Sequence, residues 1–176
     1  MHPIIYDVAV SADGFIAGPN ADISTFPSEG DVLNDYLARL QSYKTVLMGR
    51  ATYEFGYDYG LAPGDNPYPW AESIVVSTGL SLPDGAPVTQ LRDLTDSALR
   101  ELRQASDGPI YLCGGGHLAA QLMNMGHIDQ LRLKRAPILL GGGTPLFDGL
   151  TQRPRLTLSD QTDYGHGLIY QAFIVG

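Results

Sequence analysis

The sequence is short of cysteine, of positive charge and of long apolar runs, and each shortage excludes something. A single cysteine, Cys113, among 176 residues rules out an internal disulfide and suits a reducing compartment. Eleven lysines and arginines stand against 19 aspartates and glutamates, a net charge of −8. So acidic a chain makes a poor partner for nucleic acid or for an anionic membrane surface. No apolar run approaches the ~20 residues of a membrane span. The opening "MHPIIYDVAVSADG" has neither the basic region nor the apolar stretch of a secretory leader, so a cytoplasmic protein is expected. His2, His117, His127 and His166 are scattered without the spacing of a metal site. No nucleophile elbow and no P-loop lysine appear. The length suits one domain over residues 1–176.

Glycine and proline are plentiful, at 21 and 12 residues, and they punctuate a regular alternation. Apolar runs at 3–10, 44–49, 73–78, 86–91 and 109–113 read as strands, most of them buried. Helical periodicity appears at 31–43, 93–105 and 115–125, with a short helix from Arg50 to Phe55. Asp93 or Thr95 is the expected cap of the 93–105 helix. After residue 126 only strands follow: 128–143 runs into a glycine loop, and 155–175 alternates around "YGHG" as a hairpin. This pattern predicts a three-layer α/β fold, with a mostly parallel mixed sheet, an antiparallel C-terminal hairpin and helices on both faces.

Ligands in parallel sheets sit at the carboxyl ends of strands. Three such ends here carry groups suited to phosphate. In "YLCGGGHLAAQLM", Gly114, Gly115 and Gly116 stand between a strand and a helix, where unpaired N–H groups and the helix dipole favour an anion. One glycine satisfies a tight turn, and three argue for close backbone approach by a ligand. In "VLMGRATYEF", Gly49 permits a turn, Arg50 can fork onto a phosphate and the Thr52 hydroxyl can donate to one. "VVSTG" puts Ser77 and Thr78 in the same row. The stretch Gly114, Gly116, Ala119 also fits G-x-G-x-x-A loosely, but it comes late in the chain and the next strand, "LRLKRA", ends basic. The triplet Gly141 to Gly143 precedes no helix and is expected to shape a loop or let backbones pass closely.

"MGRATYE", "VVST" and "YLCGGGHLAAQLM…IDQLRLKRAPILLGGGTPLF" together resemble the dihydrofolate reductase superfold. The nearer likeness is to its riboflavin-biosynthesis reductase branch, the C-terminal domain type, whose S-x-D-G-x-I-A loop is similar to "SADGFIAG". The resemblance spans nearly the whole chain. It implies NADPH lying across the strand ends, with Gly49, Arg50 and Thr52 at its phosphates and Ser77 and Thr78 near the adenosine 2′-phosphate. Gly114, Gly115, Gly116 and His117 would take the pyrophosphate, and Ala9 and Ile16 would line the nicotinamide. It further implies a homodimer and a small planar heterocycle as substrate (a pyrimidine, pterin or flavin-like ring) reduced at a C=N or C=O group.

Folate reductases carry a carboxylate on their first long helix, and alignment through "MGR" puts Leu33 there. Asp31 and Asp35 point away from the apolar face, which centres between Leu33 and Tyr36. The first choice of proton source is Asp13, in the loop over the nicotinamide, although an aspartate before glycine is also an ordinary turn residue. Glu54 and water are alternatives. Tyr57, Tyr59, Tyr68 and Trp70 in the 56–70 loop can stack on a heterocycle, cover the core or meet a second copy. A nicotinamide-nucleotide-binding module without chemistry, serving as sensor or assembly partner, is the alternative from another class.

Overall fold

The computed structural model describes residues 1–176. Eight of the ten strands and all four α-helices follow the predicted alternation, while the short β2 and β8 form where loop was expected: β1 (Ile4–Ser11), β2 (Phe15–Ala17), α1 (Asp31–Leu40), β3 (Thr45–Gly49), α2 (Arg50–Phe55), β4 (Glu72–Val76), β5 (Val88–Leu91), α3 (Asp96–Ala105), β6 (Ile110–Leu112), α4 (Gly116–Asn124), β7 (Gln130–Ala136), β8 (Thr144–Pro145), β9 (Leu156–Asp163) and β10 (Ile169–Val175). Thr95 is the α3 cap, its hydroxyl accepting from the Ala98 N–H at 3.2 Å. No helix is long and apolar enough to cross a membrane.

Eight strands form one sheet in the order β5-β4-β3-β6-β1-β7-β10-β9. The six from β5 to β7 pair in parallel, and β10 and β9 close the edge antiparallel. Two apolar clusters cover its faces. One gathers Ile4, Tyr6, Leu47, Ile110 and Leu112 under Leu99 of α3 and Leu118 and Leu122 of α4. The other gathers Ile5, Val46, Met48, Val75 and Tyr111 under Leu40 of α1 and Tyr53 of α2. Each side chain fully buried in this way contributes on the order of 1.5–3 kcal/mol, and the alternation along β1 decides which cluster each residue joins.

The strands differ in length, and that positions the site. β6 ends at Leu112, opposite Tyr6 of β1. β1 continues five residues further, paired only with β7, to the Ser11–Ala136 register. A notch therefore opens beside the carboxyl half of β1, and the β6–α4 turn passes over it. A separate two-stranded ribbon, β2 with β8, overhangs the same end.

The three glycines of this turn have two structural reasons between them, which corrects the expectation that a turn alone leaves two of them unexplained. Gly114 and Gly115 adopt φ of 70° and 88°, a left-handed region that side chains disfavour. Gly116 is buried where any Cβ would run into the carbonyl oxygen of Pro145, so its smallness serves the contact between α4 and β8. Gly143 likewise lets the backbone pass against Ala17 and Gly18, as expected of the second triplet. Replacing Gly116 by alanine should lower stability by about 1–3 kcal/mol through overpacking against main chain, read as a shift in the denaturation midpoint with an unchanged slope.

Candidate functional site

Beside the notch a cavity opens on the α1 face of the sheet, floored by β1 and β7. Among the side chains on the α1 face of the sheet are Asp7 and Ala9 from β1 and Lys134 from β7, which is in register with Ala9. The main cavity, about 380 Å³, is lined by these residues together with Ile16 and Ala17 of β2, Ala51, Thr52 and Phe55 of α2, and Cys113, Gly114 and Gly115 of the turn. A smaller chamber of about 130 Å³ shares Ala9, Tyr36 and Lys134 with it and is otherwise apolar. A concave site that is mostly apolar, with few convergent polar groups, is the usual form of a small-molecule pocket.

Of the residues singled out in the sequence, Ala9, Ile16, Thr52, Gly114 and Gly115 come together in this cavity. A Cβ built on Gly115 would lie 3.2 Å from the Thr52 hydroxyl, so the bare backbone keeps a gap between the β6–α4 turn and α2. The other expected residues do not line the cavity. Gly49 precedes α2 in extended conformation. Arg50 pairs with Glu54 at 2.7 Å and donates to the Gly79 carbonyl at 3.3 Å. The Ser77 hydroxyl accepts from the Gly79 and Leu80 amides at 3.2 and 3.0 Å. Thr78 and His117 are exposed, and Gly116 is buried against Pro145. Arg92, which sequence reasoning missed, donates to the Thr78 carbonyl at 3.1 Å. Two guanidinium groups therefore flank the turn after β4.

Asp13 is not placed as a proton source. It lies outside the cavity lining. Its carboxylate accepts from the Ser11 hydroxyl and from the Leu140 and Gly141 amides at 3.1 and 2.8 Å, tying the 137–143 loop to the end of β1. The Ser11 and Gly141 hydrogen bonds hold its pKa below the ordinary aspartate value, so it carries no proton to give near neutrality. The 56–70 loop acts as a cover: Trp70 donates to the Leu40 carbonyl, Tyr57 and Tyr68 pack against the second cluster, and none of its tyrosines lines the cavity.

What sequence reasoning did not find is the charge buried in the floor. The Asp7 side chain is fully buried and meets Lys134 Nζ at 2.9 Å, Arg39 Nε at 3.1 Å and the Tyr43 hydroxyl at 3.1 Å. Lys134 Nζ also sits 3.5 Å from the centre of the Tyr36 ring, whose hydroxyl is 2.7 Å from that of Tyr111. Burial alone would raise the Asp7 pKa, but attraction to Lys134 and Arg39 outweighs it and holds the group below the ordinary range. Burial pushes Lys134 the other way, below the ordinary lysine value, and a carboxylate shared with Arg39 restores only part of the shift. With one anion between two cations, Lys134 is the member that releases a proton most readily. Beside it, burial raises the Cys113 pKa, leaving a thiol within 2.9 Å of the Tyr68 hydroxyl rather than a nucleophilic thiolate. One signal for the cluster was present in the sequence: Asp7 interrupts the apolar run "IIYDVAV".

The family model for the RibD C-terminal domain matches residues 3–170. Two Bacillus subtilis proteins, both described as uncharacterized, are similar along most of their length. YwjB is 32% identical over 168 residues, covering 92% of this chain and 91% of its own. YyaP is 29% identical over 175 residues, covering 94% and 91%. Among solved structures, a Shewanella sp. PV-4 protein assigned provisionally to riboflavin biosynthesis superposes with a TM-score of 0.83 at 22% identity, over 100% of this chain and 99% of that one. A diaminohydroxyphosphoribosylaminopyrimidine deaminase/5-amino-6-(5-phosphoribosylamino)uracil reductase from Thermotoga maritima superposes with a TM-score of 0.71 at 16% identity, over 99% of this chain and 57% of that one. A pyrimidine reductase-like protein of Corynebacterium diphtheriae gives 0.69 at 16% identity, over 99% and 92%.

Asp7 should contribute stability in one pH direction only. Its folded pKa is depressed, so its contribution is complete above the ordinary carboxylate range and drains away as pH falls through the folded value. Asp7→Asn should cost about 3–5 kcal/mol at neutral pH, because it leaves the buried Lys134 and the half-buried Arg39 without their anion. Urea titrations across the acidic range should show a shallower acid-induced loss for the variant than for the parent.

Proposed function

The chain belongs to the RibD C-terminal domain family, a pyrimidine reductase domain, and on that premise we propose that it is an NADPH-dependent reductase of a small planar heterocycle, acting at a C=N or C=O group. The observation that carries this reading is the meeting of a bare-backbone turn, a cavity and an ionised floor at the carboxyl ends of β1, β3 and β6. The residues present fit the cofactor. Gly114 and Gly115 offer main-chain N–H groups without a Cβ in the way, and the gap to Thr52 is one that a side chain at Gly115 would fill. Ala9 and Ile16 give a flat apolar wall for a nicotinamide ring. Arg50 and Arg92, held by the turn carbonyls of Gly79 and Thr78, suit the extra phosphate that distinguishes NADPH from NADH.

NADPH, when bound, supplies a hydride. The chain's own residues do the rest. Tyr36, Leu33 and Ala136 confine a planar ring in the smaller chamber, next to the wall formed by Ala9. That confinement orients the two rings and excludes water. Lys134 Nζ, directed by Asp7 and the Tyr36 ring, donates a proton to the nitrogen or oxygen of the reduced double bond, and the neutral amine regains a proton from solvent as product leaves. Asp7 stays ionised throughout and holds the amine in place.

A homodimer belongs to the same proposal. The edge strand β9 is exposed along its whole length, with Leu156 and Leu158 uncovered, and an open edge of this kind pairs readily with a second copy.

Fluorescence titration should detect saturable NADPH binding, and a panel of planar heterocycles should include one that oxidises the cofactor. Binding with no oxidation by any ring would favour the non-catalytic module. Arg50→Ala and Arg92→Ala should each weaken NADPH by roughly tenfold, about 1.4 kcal/mol, and NADH far less; an equal loss for both nucleotides would remove these residues from the phosphate. Lys134→Met should lower turnover by about 10²-fold or more with little change in NADPH affinity. The parent's turnover should fall as pH rises through the depressed Lys134 value, and the variant should lack that limb.

A further inference from the structure

The smaller chamber shows which acceptor the site admits. Its walls are Phe26, Pro27, Val32, Leu33 and Leu168, with Ala9, Tyr36 and Lys134 at the boundary with the main cavity. Lys134 is the only charged side chain lining either space other than Asp7, and that carboxylate balances its charge while leaving it a hydrogen to donate. Val32 and Leu168 also line the groove outside the chamber, and the charged groups there are Glu29, Asp31, Asp35 and Asp163, all carboxylates. No lysine or arginine lines that groove. Arg39, the one cation on α1, gives its Nε to Asp7 and stacks 4.3 Å from the Tyr170 ring centre, and its unpartnered Nη2 is buried beneath the surface and lines neither the chamber nor the groove.

A substrate with a sugar phosphate would have to hold its dianion in one of two places. Inside the chamber it would be buried against apolar side chains, with a single ammonium whose charge is already balanced by Asp7, at a cost of several kcal/mol. In the groove it would face the four carboxylates that line it, a repulsion that salt screens only beyond about 8 Å. An uncharged ring meets neither penalty. Its apolar faces match Val32, Leu33 and Leu168, and a ring carbonyl or imine nitrogen finds the Lys134 ammonium at the floor. Resting on the reductase reading above, we propose that this site takes an unphosphorylated planar ring and rejects the phosphoribosyl form. Specificity comes from the missing cations in the chamber and the acidic groove at its mouth.

The test is a matched pair. The intact chain is titrated calorimetrically, with and without saturating NADPH, against phosphoribosylaminouracil, the same compound after phosphatase treatment, and a panel of uncharged pyrimidine and pteridine rings. The dephosphorylated compound, or an uncharged ring, should bind at least roughly tenfold tighter than the phosphate ester. Asp31→Lys combined with Asp163→Lys should narrow that difference while leaving affinity for the uncharged rings unchanged. Equal or tighter binding of the phosphate ester overturns the proposal, as does failure of the dephosphorylated compound and of every uncharged ring alike to bind. Loss of NADPH binding is read separately: it removes the reductase reading, while the ranking of the pair without cofactor still decides the acceptor.

Discussion

The early end of β6 is the constraint on which the site depends. Because that strand stops at Leu112 while β1 and β7 run on together to Ser11 and Ala136, the sheet is left with a notch instead of a closed rim. Everything of chemical interest follows from it. The turn that leaves β6 must cross the notch, and it does so on glycines in left-handed conformation. The α1 face of β1, which beside a longer β6 would face only packed side chains, instead presents Asp7 and Ala9 to a cavity. The ribbon of β2 and β8 closes over the same opening, held by Gly143 passing close to Ala17 and by Asp13 gripping the 137–143 loop.

The second requirement is electrical. A carboxylate with no exposure in the middle of a sheet is tolerable only with cations beside it, and Asp7 has two. The arrangement leaves an excess of positive charge in the floor, and burial makes Lys134 give up its proton more easily than an ordinary lysine. An apolar chamber bordered by such an ammonium suits a ring whose double bond must be protonated at nitrogen or oxygen. To a dianion the same chamber offers only an ammonium already paired with Asp7, among apolar walls. Proton supply and the choice of acceptor thus trace to one cluster.

Most of the fold was legible in the sequence because its elements announce themselves locally. Buried runs such as "TVLM" and "SIVV" read as strands, the α3 periodicity and its Thr95 cap read as a helix, and the glycine-rich strand ends pointed to the rim where the cavity opens. The cavity lining was partly legible for the same reason: Gly114, Gly115 and Thr52 sit at strand ends, where parallel sheets bind ligands. The floor was not. Lys134 alternates with apolar residues in "LRLKRA", as a solvent-facing strand residue would, and only the register with Ala9 turns it inward beside Asp7. That pairing joins positions 127 residues apart, and no local pattern encodes it. Asp13 misled for the opposite reason. Its local setting resembled a catalytic loop, while its partners at Leu140 and Gly141 lie far along the chain.

The most direct measurement is heteronuclear NMR of the backbone amides and the Lys134 ammonium during addition of NADPH. The account predicts saturable shifts at Gly114, Gly115 and Thr52, together with a shift of the Lys134 Nζ resonance as the cavity fills. Shifts confined to other parts of the surface, with the β6–α4 turn and Lys134 unmoved at saturation, would contradict it.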